Sequence, residues 1–196
     1  VVSNDTMVES PIVQALVDRV LVKMRAAVED GLHVPVTVVK TQPDHRQTFW
    51  VNLIGRGYPA PSRIFRWCTD RMKIRPTGKY IRDITSGAGG SVLLIGVRRD
   101  ESKARAESIE RHGAARLNPH GTVPGCDVFR PIVDVTTREV WAYLLQRRCI
   151  WGGTHRELAT LYRNAMGGEC PFVVDEDDAP SCGESSSARF GCWTCT

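Results

Sequence analysis

The stretch Ser91-Val92-Leu93-Leu94-Ile95-Gly96-Val97-Arg98-Arg99-Asp100-Glu101-Ser102-Lys103-Ala104-Arg105 sets a continuous apolar run between Gly89-Gly90 and Arg98. Such a run, from Ser91 to Val97, has the pattern of a strand buried on both faces. A helix is expected to follow from Glu101 to His112. Strand feeding helix is the repeating unit of an α/β sheet with mainly parallel strands, whose ligands sit at the carboxyl ends of the strands. Arg98 and Arg99 fall at that junction, where arginine forks and helix-start amides together make a site for phosphate or sulfate. The plainer alternative is that these arginines pair on the surface with Asp100, Glu101 and Glu107.

Working outward, the same alternation recurs. Val1 and Val2 read as the end of a strand running into Ser3-Asn4-Asp5-Thr6. Ser10 can cap a helix that Pro11 opens, Ile12 to Val28 recur at helical spacing, and Gly31 ends it. Val34 to Val39 reads as a strand, with Pro35 favouring an edge or a strand start. After a loop containing Gly55, Gly57, Pro59 and Pro61, the segment from Thr69 carries helix-compatible charge, and Pro76 is expected to stop it near Arg75. Thr136-Thr137-Arg138-Glu139 and Thr154 to Glu157 both have capping-box form ahead of apolar residues, so two further helices are expected there.

The chain has 196 residues, 42% hydrophobic and 24% charged, ordinary globular material with a net charge of +4. That length can bury roughly 70% of its unfolded surface in one core. No apolar stretch approaches the roughly 20 residues needed to span a bilayer, so a soluble protein of the cytoplasm is expected, without a membrane partner. From Arg63 to Arg82, seven basic residues face the single acid Asp70, which gives +6 over twenty positions. This concentration favours a phosphate-bearing partner, either a nucleotide or a nucleic-acid backbone; a solvated helix face accounts for the charge equally well.

Four of the seven cysteines, Cys170, Cys182, Cys192 and Cys195, fall in the last 27 residues. Thiolates gathered this way, with one Cys-x-x-Cys pair, can hold an iron-sulfur cluster or tetrahedral zinc. Disulfides are the remaining alternative, disfavoured by the odd cysteine count and the absence of a signal segment. Cys68 lies in the basic stretch, where neighbouring cations favour a thiolate; it could carry a persulfide, add a ligand to a cluster, or be an inert half-buried thiol. Cys126 and Cys149 are read as structural, and His112, His120 and His155 receive no role.

Several of these segments together resemble one family. Gly96-Val97-Arg98 with Glu101, Ser102 and Arg105 resembles a signature of the phosphoadenylyl-sulfate reductase group within the ATP-pyrophosphatase superfamily. Asp5-Thr6 followed by Glu9 and Pro11 is similar to its nucleotide-side strand end, and Pro131 to Asp134 leading into Val140-Trp141 resembles a third segment. In a fourth, Arg66-Trp67-Cys68-Thr69 with Arg71, Lys73 and Pro76, Trp67 stands where the group has a first cysteine. Within the group, Val2 to Thr6, Phe49 to Gly55, Tyr58 to Pro61, Phe65 to Lys73 and the tail Gly168 to Cys195 resemble the DndC family of DNA phosphorothioation sulfurtransferases.

The resemblance implies an adenine nucleotide alpha hydrolase-like α/β fold over residues 1–166, a mainly parallel sheet with helices on both faces, and a cysteine-rich iron-sulfur segment over residues 167–196. It implies an ATP pyrophosphatase and sulfurtransferase that helps replace a non-bridging DNA phosphate oxygen with sulfur. DNA, a cysteine desulfurase and other phosphorothioation subunits would be its partners. Cys68, Lys73 and Arg98 would be catalytic; Asp5, Thr6, Arg66, Arg99 and Arg105 would contact nucleotide or phosphate. The tail cysteines would hold a 4Fe-4S cluster, with zinc as the alternative.

Two departures matter. The Glu-Cys-Gly-Leu-His motif of ordinary reductases in the group is missing, which separates the tail from theirs. The Ser-Gly-Gly-x-Asp-Ser phosphate loop is also missing, and the first residues resemble the family's second strand. We therefore expect either a further N-terminal piece or a form that binds ATP differently. A phosphoadenylyl-sulfate reductase and a non-catalytic cluster-bearing or zinc-bearing assembly subunit are the competing functions.

Overall fold

A computed structural model describes residues 1–31, 35–62, 65–113, 115–164 and 194. Val34, Arg63, the boundary at 166/167 and the ligand set Cys170, Cys182, Cys192 and Cys195 lie outside the described residues. The fold is α/β, with parallel strand pairs and six α-helical segments. The chain divides between Gly90 and Ser91 into two compact units.

In the first unit, β1 (Val2–Asn4) pairs in parallel with β2 (Val39–Thr41), Val2 opposite Val39. Between them runs α1 (Pro11–Glu29), with Pro11 in its first turn and Gly31 at φ 100° just beyond its end. The second strand begins at Val39, later than its apolar run, because Val39 is where the ladder to β1 starts: its N–H donates to the Val1 carbonyl at 2.9 Å. A helical stretch from Phe49 to Gly55 precedes the Gly/Pro loop.

Pro76 does not end its helix. α2 (Trp67–Thr69), a π-helical turn at Asp70–Ile74 and α3 (Arg75–Ala88) run on without a break. The Arg75 N–H reaches back five residues to Asp70, so the register has already widened where proline has no N–H to give. The apolar centre of this unit is Val8, Phe49, Trp67 and Met72, with Leu53, Tyr58 and Cys68 packed against it.

The second unit is built on the order β3-β5-β4, with β3 (Ser91–Leu94) parallel to β5 (Cys126–Phe129) and β4 (Leu117–Pro119) antiparallel to it. The strand β3 is covered on one face only: Val92 and Leu94 are 54% and 64% exposed, which corrects the expectation of burial on both faces. The same unit contains α4 (Lys103–Arg111), α5 (Thr137–Gln146) and α6 (Arg156–Asn164), close to the expected bounds. Ser102 caps α4 through the Arg105 N–H, and Thr136 with Glu139 forms a complete capping box on α5. No helix among the described residues is long and apolar enough to cross a membrane.

Candidate functional site

Chemistry-bearing side chains gather beyond the carboxyl end of β1. Thr6 is fully buried, and its hydroxyl donates to Glu9 Oε1 at 3.0 Å. The same Glu9 oxygen lies 3.5 Å from Lys73 Nζ, which the π-helical turn carries to this point. Met7, between Asp5 and Val8, has φ 63°, a left-handed backbone that a non-glycine residue adopts at a cost and that recurs at functional turns. Asp5 Oδ1 supports that turn by accepting the Met7 N–H at 2.9 Å. Burial pushes the Asp5 carboxyl upward, but hydrogen bonds from Gln42 and Met7 and the Lys40 charge outweigh it and lower its pKa. Asp5 therefore remains an anion beside Lys40.

A second group lies beyond β3. Arg98 is 6% exposed, and its Nη1 donates to Thr137 Oγ1 at 2.9 Å and sits 3.6 Å from Asp100 Oδ2. Asp100 in turn accepts the Thr137 N–H at 2.6 Å. This bond to the Thr137 backbone, with a further one to its side chain, holds Asp100 below the usual carboxylate range. Glu101 bridges two arginines: Oε1 lies 4.0 Å from Arg98 Nε, and Oε2 accepts from Arg105 Nε at 3.1 Å. Arg99 Nε donates to Asp134 Oδ1 at 3.1 Å while Nη1 makes a short contact with Glu110. The Asp134 and Glu110 bonds raise the Arg99 pKa further. Asp134 also accepts from Arg116 at 3.1 Å.

Of the residues expected from sequence, Asp5, Thr6 and Lys73 come together in the first unit and Arg98, Arg99 and Arg105 in the second. Arg66 is exposed and stands at the start of α2, outside the Thr6–Glu9–Lys73 group. Cys68 is a half-buried free thiol against the aromatic core. Sequence reading missed the carboxylates that hold the cations: Glu9 for Lys73, and Glu110 and Asp134 for Arg99. Glu9 and Asp134 left a trace, since each stands in a segment that resembles the family, but neither was assigned a cation. No group of three or more metal-ligating side chains occurs among the described residues.

Each group by itself can hold phosphate: in the first unit a lysine on a carboxylate tether and a strand-end turn with polar backbone, in the second a buried arginine with fixed fork. No curated protein matches the chain significantly. The sequence profile of the phosphoadenosine phosphosulfate reductase domain matches residues 19–196. Lys73, Arg98, Arg99 and Arg105 fall inside the matched stretch, whereas Asp5, Thr6 and Glu9 precede it. With most of its length covered, the chain belongs to the phosphoadenosine phosphosulfate reductase domain family.

Proposed function

We propose that this chain carries out sulfur-related nucleotide chemistry as an ATP pyrophosphatase and sulfurtransferase of DNA phosphorothioation. The observation that carries the nucleotide chemistry is Arg98, a guanidinium 6% exposed at a strand end and held by Thr137 and Asp100. A charge fixed in this way costs no reorganisation when negative charge develops in front of it. The likeness of the tail Gly168 to Cys195 to the DNA phosphorothioation family favours DNA sulfuration over sulfate reduction.

A non-bridging oxygen of a DNA phosphodiester attacks the α-phosphorus of ATP, and pyrophosphate leaves with the electron pair of the broken P–O bond. Lys73, Arg98, Arg99 and Arg105 stabilise the departing charge, while Asp5 and Thr6 lie toward the nucleoside and Arg66 toward phosphate. The terminal sulfur of a persulfide, delivered by a cysteine desulfurase and carried by Cys68 or by a partner subunit, then attacks the activated DNA phosphorus and expels AMP. A second thiol attacks the resulting S–S bond, supplying the two electrons that leave sulfur on phosphorus and a disulfide behind. Four thiolates at Cys170, Cys182, Cys192 and Cys195 would hold a 4Fe-4S cluster or zinc.

Anaerobically purified protein tests the reading by iron, sulfide and zinc analysis, repeated on Cys192→Ser, together with pyrophosphate release from ATP with DNA and partner subunits. About four iron and four sulfide per chain, lost in the variant, support it. The second reading, a reductase of phosphoadenylyl sulfate, is favoured by the family match itself. Turnover of that nucleotide to sulfite with a thiol, without DNA-dependent pyrophosphate release, would establish it instead.

A further inference from the structure

Between Gln47 and Arg75 the cations divide into two kinds. Lys73 is paired with Glu9, and Arg75 with Asp70 at 2.7 Å. Arg56, Arg66 and Arg71 meet no carboxylate among the described residues. Two of these three converge on one neutral atom. Arg56 Nη1 donates to Gln47 Oε1 at 3.4 Å, and Arg71 Nη1 makes a short hydrogen bond to the same oxygen. Guanidinium groups sharing one uncharged acceptor repel each other, and an anion between them would turn that repulsion into attraction.

The pair stands on a rigid base. Arg71 donates to Tyr58 Oη at 2.7 Å, and its guanidinium lies 4.9 Å above the Tyr58 ring. Tyr58 meets Trp67 edge to face at 5.5 Å, Trp67 stacks on Phe49 at 5.5 Å, and Phe49 meets Trp50 at 5.1 Å. Trp67 and Phe49 are buried, and Trp67 is pinned through its ring nitrogen to the Pro59 carbonyl at 3.0 Å. Arg56 is tied back to Asn52 Oδ1 at 3.1 Å, and Asn52 is fully buried. Trp50 is 43% exposed, and Phe65, one residue before Arg66, is 47% exposed. Arginine forks bind phosphate oxygens in pairs, and exposed rings beside them give bases a stacking surface.

We propose that Arg56 and Arg71, set by Gln47 and Tyr58, clamp a backbone phosphate of a nucleic-acid strand. The inference rests on DNA being the partner in the proposed function, but it concerns binding alone.

Fluorescence anisotropy on the full chain with a labelled DNA strand of about 16 nucleotides, single and duplex, across a salt series, tests it. Replacing both arginines (Arg56→Gln with Arg71→Gln) should weaken binding at least tenfold and flatten the log–log salt slope by about 0.7 for single strands or 0.9 for duplex, the share of the one clamped phosphate. Arg56 is exposed, so Arg56→Gln alone keeps the fold; about half that slope change is expected from it. Failure of the unsubstituted chain to bind DNA, or an unchanged affinity and slope in Arg56→Gln, would overturn the proposal. So would displacement of the DNA by inorganic pyrophosphate or ATP at equal concentration, which would assign the pair to a free nucleotide. A chain that releases no pyrophosphate yet shows the slope change would lose the enzymatic reading and keep the clamp.

Discussion

In the unit ending at Gly90, Arg56, Arg66 and Arg71 meet no carboxylate among the described residues, whereas in the unit beginning at Ser91 each of Arg98, Arg99, Arg105 and Arg116 is held by one or two. The difference separates two uses of positive charge. A guanidinium braced by carboxylates has lost net charge but gained a fixed direction, which suits contact with one group in one reaction. Cations left without acids keep their long-range attraction and draw a polyanion by charge and salt-dependent counterion release. The comparison therefore makes the cations braced by carboxylates, Arg98 and its neighbours together with Lys73, the ones whose substitution should hurt turnover, and the unbraced arginines of the first unit the ones whose substitution should hurt DNA affinity.

The strongest test removes the most deeply braced cation. In Arg98→Ala, pyrophosphate release from ATP by the complete protein is expected to fall at least tenfold, which is about 1.4 kcal/mol of transition-state stabilisation. Stability should fall as well, by roughly 3 kcal/mol, because Asp100 and Glu101 lose a buried partner. Activity measured at equal folded fraction separates the two, and near-normal turnover there would remove Arg98 from the reaction. Lys73→Ala should cost about tenfold in the same assay without a comparable loss of stability, since its side chain is 40% exposed. Glu9→Gln keeps the hydrogen bond from Thr6 and removes only the ion pair. It should therefore raise the KM for ATP severalfold with kcat near normal; an unaltered KM would show that the tether does not position Lys73.

How much of this was legible in the sequence follows from the range of each interaction. The helices α4 and α5 were readable to within a residue or two because Ser102, Thr136 and Glu139 act on backbone amides three positions away. Pro76 misled because proline punctuation is a local rule, and the widened turn that accommodates it forms four residues earlier among side chains with no special signature. Apolar Val92 and Leu94 looked buried because hydropathy reports what a side chain prefers, whereas exposure depends on what packs over it. The strand-end positions of Asp5 and Arg98 were readable from periodicity. The pairing of Arg98 with Asp100 and Glu101 was readable too, since those acids lie two and three residues on, whereas the partners of Arg99 and Lys73 were not: Asp134 lies 35 residues from Arg99 and Glu9 lies 64 from Lys73. The likeness of the tail to one family rests on cysteine spacing, and its ligand set falls outside the described residues.

Acid titration probes the same bracing more gently. Asp100 has a folded pKa below its ordinary value, first through the Thr137 backbone and side-chain bonds and then through the Arg98 charge. Its contribution is fully present above the unfolded pKa of about 3.9 and is lost as pH falls through the lower folded value. The melting temperature should thus decline as pH drops below about 4. In Asp100→Asn the protein should be less stable near neutrality and show a shallower acid decline. An identical acid slope in the two proteins would mean that Asp100 is not braced in solution.

The smallest expected effects compare one helix start in each unit. Glu139 Oε2 accepts the Thr136 N–H at 2.8 Å, and Thr136 Oγ1 accepts the Glu139 N–H at 3.2 Å, so both halves of the box are made. Ser10 stands at the corresponding place on α1 with no side-chain cap bond, and there Pro11 presets the first turn instead. Thr136→Ala should therefore cost about 1 kcal/mol in urea unfolding. It should also let the Glu139 pKa rise toward its ordinary value, because the Thr136 backbone and side-chain bonds are what lower it. Ser10→Ala should stay within about 0.5 kcal/mol of the parent protein. Equal losses at the two positions would mean that Ser10 caps α1 in solution, and that the two helix starts differ less than their hydrogen bonds indicate.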